Sequence, residues 1–231
     1  MPTIEVFLMF KPTDRNSQTK DKKKTIEPGP SWKSIDVELR KNGYTLIVHG
    51  PDFHPSVQQI QDSMRNAEVT ILVGHGASMV NSAKFISDHI DLSDGVIVSP
   101  TGVLVAKPNA NGGPAQRTPI GKLQINKITG VFTCNSTDKM PDAFDLPPGS
   151  HLVTNDGGAE GLTRIGTLEL GAAEFVRWYG LTKGDPKRAM SHAQSVFTEK
   201  GKVWPRDKGD KLSDKIGTAP PLPERCEVKD W

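Results

Sequence analysis

The sequence predicts an α/β fold: a mostly parallel central sheet flanked by helices, with a β-hairpin inserted beside it. Short runs that are almost wholly apolar suit strands buried on both faces, and segments with apolar residues at helical spacing lie between them. The two kinds of segment alternate through the first 74 residues. Because a crossover through a helix returns the chain in the same direction, this alternation favours neighbouring parallel strands.

Five apolar runs predict the strands of the central sheet. They are residues 4–10, 44–50, 68–74, 128–134 and 150–156. The first reads IEVFLMF and the third EVTILVG, so neither has the regular polar alternation of a strand with one solvated face. Residues 95–107 form two β-rich arms around a Ser-Pro-Thr-Gly turn, and this pattern predicts the inserted hairpin.

Five helices are predicted from capping residues and apolar spacing. The first begins at Ser31 or Ser34 and ends at Gly43, where the chain can leave the helix. The last begins at Asp185, which is followed by a proline suited to the first helical position. The other three lie within residues 54–66, 78–90 and 167–180.

A chain of 231 residues is long enough for one substantial core. We expect one domain over residues 1–200 and a tail rich in Pro and charge over residues 201–231. Polar, Pro and Gly content predicts loops at 14–30 and 108–119, and residues 120–128 are predicted to be a helix or an extended arm. With 35% hydrophobic residues, 24% charged residues and a mean hydropathy of −0.44, the composition is that of an ordinary globular protein.

Several classes of partner and compartment are disfavoured. No apolar run has the length of a membrane span, and the N-terminus lacks the pattern of a signal peptide, so we expect a cytoplasmic protein without a membrane partner. Two cysteines provide no disulfide framework, which suits a reducing compartment. The net charge is only +2, and the basic run at 20–24 contains no aromatic residue, so a nucleic-acid partner is not expected.

A histidine and a cysteine mark the ends of two predicted strands. The sequence VTILVGHG places His75 after the third strand, and GVFTCNS places Cys134 at the end of the fourth. Ligands and catalytic groups of an open parallel sheet gather beyond the carboxyl ends of its strands. If these two strands are neighbours, the thiol and the imidazole come within reach of each other, as nucleophilic catalysis requires.

The residues around this pair suit the same chemistry. The backbone N–H groups of Cys134 and Gly76 can form an oxyanion hole, because glycine has no Cβ to block the approach. His75 can accept the thiol proton or, as imidazolium, stabilise a thiolate and protonate a leaving amine. No cofactor is expected, since zinc held by His75 and Cys134 would need further ligands that no spacing indicates.

These motifs resemble those of the caspase-like cysteine peptidases, a group that includes caspases, metacaspases, clostripain and the bacterial CHAT domains. ILVGHGAS and GVFTCNS are similar to the His-Gly and Cys motifs of the group, and VFTCNS is particularly similar to the cysteine strand of CHAT-type members. Residues 166–197 are similar to the helix, turn and helix that follow the fifth strand there. The resemblance covers residues 1–200, least clearly at the inserted hairpin and the two ends.

The resemblance implies a caspase-like fold and a cysteine endopeptidase that hydrolyses polypeptide substrates through a thioester. Carried onto matching positions, it implies that Cys134 is the nucleophile and His75 the acid/base, with backbone donors from Gly76 and Cys134. It implies no metal in the chemistry. A regulatory protein partner is compatible with this class of peptidase.

Substrate specificity is less well indicated. Metacaspases carry an acidic residue two positions before the cysteine, and Phe132 occupies that position here. Asp156, at the end of the fifth strand, and Asp138, just past the cysteine, are candidates for lining a pocket for Lys or Arg. The pentapeptide around the caspase cysteine is also missing, so cleavage after Asp is not implied.

Three alternatives remain open. The chain could be a catalytically silent caspase-like module that docks a signalling or effector protein. His49, in the second His-Gly sequence of the chain, is an alternative acid/base, although only His75 has glycine on both sides. A small-molecule binder on a flavodoxin-like sheet lacks the expected glycine-rich phosphate motif, and no serine-hydrolase elbow is present.

Overall fold

The structure is a computed structural model that describes residues 1–18, 24–26, 29–51, 53, 55–74, 76–81, 84–91, 96–99, 102–107, 116–133, 144–155, 165–193 and 201–204. Its strands are β1 (Thr3–Met9), β2 (Asn16–Gln18), β3 (Lys24–Ile26), β4 (Thr45–His49), β5 (Val69–Gly74), β6 (Gly76–Asn81), β7 (Lys84–Asp91), β8 (Val96–Ser99), β9 (Gly102–Lys107), β10 (Gln116–Gly121), β11 (Leu123–Gln124), β12 (Ile128–Thr133), β13 (Phe144–Asp145), β14 (His151–Asn155) and β15 (Gly201–Trp204). Its helices are α1 (Trp32–Lys41), α2 (Val57–Asn66), α3 (Ile165–Leu181) and α4 (Pro186–Ala193), and a short 3-10 helix covers Pro12–Arg15.

The central sheet has the order β15-β14-β12-β5-β1-β4. Its five strands from β14 to β4 are parallel, and β15 pairs antiparallel with β14. From β1 the chain passes to β4 on one side and then crosses to β5 on the other, so the direction of winding reverses between β1 and β5. The mostly parallel, helix-flanked sheet confirms the predicted fold class, and all five predicted strands lie in it.

The helices begin at residues that supply hydrogen-bond acceptors to the first turn. The Ser31 hydroxyl accepts from the Ser34 N–H at 3.4 Å, and Ser56 and Gln59 form a capping box at the start of α2. The Asp185 carboxylate accepts from the backbone N–H of Lys187 at 2.9 Å, which confirms it as the cap of α4. These local interactions explain why capping residues located the helices in the sequence.

Each face of the central sheet buries its own apolar cluster. Alternate residues of a strand point to opposite faces, so Val6 and Leu8 of β1 lie on one face and Phe7 and Met9 on the other. The first face packs against α1, α3 and α4. The second packs against α2 and the short strands β11 and β13. Coverage on both sides explains why the strands are apolar almost throughout.

The segment between β5 and β12 differs from the prediction. Within residues 78–90, predicted to be a helix, residues 78–81 lie in β6 and residues 84–90 in β7, and these strands pair antiparallel. The predicted hairpin is confirmed, since β8 pairs antiparallel with β9. It belongs to a larger antiparallel sheet with the order β10-β9-β8-β7-β6. Cross-strand pairing therefore overrides the helical spacing of Val80, Ala83 and Ile86, which covers barely two turns.

Three further segments extend the predictions. Residues 201–204, which we assigned to a tail, form β15 at the edge of the central sheet. The loop predicted at 14–30 contains the short 3-10 helix and the paired strands β2 and β3, and β10 begins inside the loop predicted at 108–119. The uncertain segment 120–128 is extended rather than helical, with β11 paired to β13.

Candidate functional site

The candidate site lies at the carboxyl edge of the parallel strands. Gly74, the last residue of β5, is the register partner of Met9 in β1 and of Thr133 in β12. The strands β5 and β12 are therefore hydrogen-bonded neighbours that end at the same level. The next residue in the sequence is His75 after β5 and Cys134 after β12.

The predicted site residues themselves fall almost entirely beyond the described part of the chain. His75, Cys134, Asp138 and Asp156 lie outside the described residues. Gly76 is described, and it begins β6, where its register partner is Ile90 of β7. One residue in the sequence thus separates the central sheet from the inserted antiparallel sheet, and that residue is His75.

An ion pair also links β5 and β12 at their opposite, amino ends. Lys127 precedes β12, and its Nζ lies 2.6 Å from Oε2 of Glu68, which precedes β5. The Tyr179 hydroxyl donates to Oε1 of Glu68 at 3.2 Å. Burial and, next, the Glu68 carboxylate raise the pKa of Tyr179 above its ordinary value, so the phenol stays protonated and able to donate. The contact favours the same register that aligns the carboxyl ends of the two strands.

The position two residues before Cys134 belongs to the core. Phe132 is fully buried, and its ring centroid lies 6.0 Å from that of Phe175 in α3. An aromatic side chain is therefore part of the packing between β12 and α3. This packing gives the position a structural role.

A buried carboxylate lies between α3 and the connection that follows β1. Glu169 is fully buried, and its two oxygens accept from Nε and Nη2 of Arg15 at 2.6 and 2.7 Å. Its Oε1 also accepts from Nε1 of Trp32 at 3.1 Å. The Arg15 guanidinium lies over the Phe10 ring, 5.2 Å from its centroid. We call these four residues the Glu169 cluster. Their contacts connect the segment just past the end of β1 to α3.

The alternative histidine occupies a different part of the sheet. Nε2 of His49 lies 2.7 Å from Oε1 of Glu5, and its ring stacks on those of Phe7 and Phe53 with centroids 4.8 and 4.7 Å apart. His49 ends β4, which is three strand spacings, about 14 Å, from β12. This distance separates His49 from the strand that precedes Cys134.

The other described histidines lie in β7, β14 and α4. His89 lies in β7, opposite Ala77 of β6, rather than on the predicted helix. His151 begins β14 as predicted, with a buried Nδ1. His192 lies on α4 as predicted and stacks on Trp178, with ring centroids 3.8 Å apart.

Sequence reasoning missed two arrangements, the Glu169 cluster and the Glu5–His49 pair. Each contains a lone acidic residue within an apolar run, IEVFLMF for Glu5 and LELGAA for Glu169. A charged side chain that faces a core needs a partner, so these interruptions were the available signal. The partners could not be read from the sequence because Arg15 and Glu169 lie 154 positions apart.

Comparisons with known proteins add no family assignment. A scan against models of protein families finds no match, and a search of curated proteins finds no significant similarity. Among the described helices, none is long and apolar enough to cross a membrane. Within the described part of the chain, no group of three or more His, Cys, Asp or Glu residues is arranged to hold a metal ion.

Proposed function

We propose that the protein is a caspase-like cysteine endopeptidase in which Cys134 and His75 form the catalytic dyad. The observation that carries the proposal is the register pairing of Gly74 with Thr133 at the carboxyl ends of β5 and β12. The resemblance of the His-Gly and Cys sequences to that group of peptidases supplies the reaction class. Hydrolysis of peptide bonds in a polypeptide substrate is the expected activity.

Covalent geometry supports a contact between the two side chains. Each Cα is about 3.8 Å from that of the preceding residue, and neighbouring strands are about 4.8 Å apart. The Cα atoms of His75 and Cys134 are thus at most about 12 Å apart, and about 5 Å apart if both chains continue along their strands. An imidazole and a thiol directed towards each other can meet within this range.

The proposed reaction uses one nucleophile and one proton carrier. The Cys134 thiolate attacks the carbonyl carbon of the scissile amide, and the backbone N–H groups of Cys134 and Gly76 stabilise the developing oxyanion. The C–N bond breaks as the protonated His75 gives its proton to the leaving amine. Water then hydrolyses the thioester, and the thiol is regenerated.

The strands on either side of His75 in the sequence support its proposed role as the acid/base. The residue lies between the last residue of β5 and the first residue of β6, both of which are in strand pairs. These strand pairs restrain the backbone at Gly74 and Gly76, and catalysis benefits from preorganised groups. We assign the binding of a Lys or Arg side chain to Asp156 and Asp138, which follow β14 and β12 in the sequence.

The test is covalent labelling with peptidyl acyloxymethyl ketones that carry Arg, Lys, Asp or Leu next to the reactive group. We expect the wild-type protein to be labelled, with preference for Arg or Lys, and Cys134→Ala and His75→Ala to lose labelling by at least a hundredfold. Intact-mass spectrometry measures the labelled fraction. A tryptic digest locates the adduct on Cys134.

Two variants serve as matched controls. Cys226→Ala removes the only other cysteine, and His49→Ala removes the alternative histidine; both should be labelled at the wild-type rate. Loss of labelling in His49→Ala with retention in His75→Ala would reverse the assignment of the acid/base. A folded wild-type protein that none of the probes labels would contradict the peptidase proposal and favour the catalytically silent docking module.

A further inference from the structure

A cavity lies between the central sheet and α2, near the β4 edge. Its volume is about 250 Å³. The sheet contributes Glu5 and Phe7 from β1 and His49 from β4, and Phe53 lies in the connection to α2. The helix contributes the side chains of Gln59, Asp62, Ser63 and Asn66. We call this space the Glu5 cavity.

Aromatic rings form one wall of the Glu5 cavity. The imidazole of His49 stacks on the rings of Phe7 and Phe53, at centroid distances of 4.8 and 4.7 Å and interplanar angles of 12° and 29°, and the centroids of Phe7 and Phe53 lie 6.1 Å apart. Phe7 is almost fully buried, at 1% exposure, which anchors the stack to the core. The faces and edges of such a stack offer an apolar surface that can also attract a cation.

Carboxylates face the cavity from both sides. Glu5 projects from the middle of β1, and its only described polar contact is the 2.7 Å contact of Oε1 with His49. Asp62 projects from α2, where its Oδ1 accepts from Gln58 at 2.7 Å and lies 3.9 Å from Nη1 of the exposed Arg65. No Lys or Arg is among the described residues that line the cavity.

We propose that the Glu5 cavity binds a small organic cation, an amidinium, guanidinium or amine attached to an apolar body. Such a group would bridge Glu5 and Asp62, and its apolar part would contact the aromatic stack of Phe53, His49 and Phe7. Hydrogen bonds to a charged carboxylate are about twice as strong as neutral ones and favour a planar, forked donor. The volume of about 250 Å³ lies below the roughly 300–1,000 Å³ typical of pockets for drug-sized ligands, so the ligand is smaller than a drug-sized molecule.

This site is separate from the proposed dyad. His49 lies on β4, and β1 and β5 intervene between it and β12. The inference therefore does not rest on the peptidase proposal. The cationic group can belong to a free amine or to the side chain of a basic residue in a peptide. The experiment distinguishes these two kinds of ligand.

The test is isothermal titration calorimetry of the full chain with benzamidine, at constant ionic strength. We expect saturable binding of benzamidine and at least tenfold weaker binding of the neutral benzamide, which has nearly the same shape. Glu5→Gln and Asp62→Asn should each weaken benzamidine binding at least tenfold. Glu174→Gln, a matched change on α3 across the sheet, should leave the affinity unchanged.

A competition experiment distinguishes a free amine from a basic side chain in a peptide. Agmatine and a capped Ala-Arg-Ala peptide compete with benzamidine, and the better competitor identifies the kind of ligand.

Two further measurements keep the outcome clear. Thermal unfolding checks that each variant is folded, and Asp62→Asn is the safer of the two because its side chain is 52% exposed. Asp156→Asn tests whether benzamidine instead occupies the proposed substrate pocket. Absence of saturable binding, equal binding of benzamide, or binding that survives both carboxylate variants would overturn the proposal. Loss of binding in Asp156→Asn with binding retained in Glu5→Gln would also overturn it, because the probe would then occupy the proposed substrate pocket.

Discussion

Individual charged and aromatic residues near the cores have specific partners that set their chemistry. His192 is the clearest case among the described residues, since its ring stacks on Trp178 with an interplanar angle of 10°. Burial and, next, the charge of Arg188 lower its pKa below the ordinary value. Protonation is therefore harder in the folded protein than in the unfolded chain.

This shift predicts a pH dependence of stability. Because the folded-state pKa is below the unfolded value of about 6.5, the unfolded chain takes up the proton first as the pH falls. The contribution of His192 is fully present above about pH 6.5 and is lost as the pH falls through that value towards the folded pKa. We expect wild type to lose more stability than His192→Phe between pH 7.5 and 5.5.

Urea unfolding at the two pH values measures the difference. His192→Phe keeps an aromatic ring against Trp178 but cannot be protonated, so it isolates the titration from the stacking. Effects of other titrating groups are common to both proteins. An identical change of the unfolding midpoint in both proteins would contradict the assigned role of His192.

Connections between secondary-structure elements depend on ion pairs of very different burial. In the Glu169 cluster, the Arg15 side chain is 12% exposed and that of Glu169 is fully buried. A second Arg–Glu pair, Arg177 with Glu38, joins α3 to α1, with 26% and 40% of the side chains exposed. The two pairs contain the same chemical groups and differ mainly in solvent access, so they form a natural comparison.

We expect Arg15→Ala to lower the free energy of unfolding by about 3–5 kcal/mol, because it leaves a buried carboxylate without its charge partner. Arg177→Ala should cost only about 0–1 kcal/mol, as is usual for an exposed ion pair. Chemical denaturation of both variants measures the difference. The double variant Arg15→Met with Glu169→Leu should recover most of the loss, since no buried charge remains. Equal costs for Arg15→Ala and Arg177→Ala would show that burial does not control these pairs.

The sequence predicts elements where local signals are strong. Apolar runs located the five parallel strands, and Ser31 and Asp185 marked helix starts because capping is a contact between near neighbours. The helix predicted over residues 78–90 was wrong because its apolar spacing is short, and the antiparallel pairing of β6 with β7 decides the structure instead. Strand β15 was missed because four residues beside a charged, Pro-rich segment carry too little pattern.

The whole molecule combines a parallel sheet with one antiparallel edge strand contributed by the expected tail. All four residues of β15 pair with β14, from Trp204 opposite Leu152 to Gly201 opposite Asn155. Without β15, the outer edge of β14 would lose its backbone partners and expose an apolar strand. The boundary of the folded region therefore lies beyond residue 200.

A pair of truncations tests this boundary. A chain of residues 1–204 keeps β15, and a chain of residues 1–200 lacks it. We expect the shorter chain to unfold at a lower temperature and to self-associate more, because an edge strand is a template for pairing with other chains. Thermal unfolding and analytical ultracentrifugation provide the two measurements. Equal melting temperatures for the two chains would show that β15 does not stabilise the sheet.

For the whole molecule, the sequence predicted the sheet edge at which the candidate site lies but not the order of the strands there. Apolar strands ending before His75 and Cys134 located an edge, and the order of strands made β5 and β12 neighbours as the hypothesis required. That order arises from long-range pairing, which leaves no local mark in the sequence. The Glu5 cavity depends in the same way on the meeting of β1, β4 and α2.

The strand order also has a consequence for protein synthesis. Residues 1–74 contain β4, β1 and β5 with α1 and α2, and chains generally begin to fold from the N-terminus as they emerge from the ribosome. In this unit β5 pairs with β1 and leaves its other edge open for β12. The ribosome must then complete the whole inserted antiparallel sheet before it makes β12. The insertion thus delays the pairing of β5 with β12, so the nascent chain cannot acquire the proposed peptidase activity until this late stage of translation.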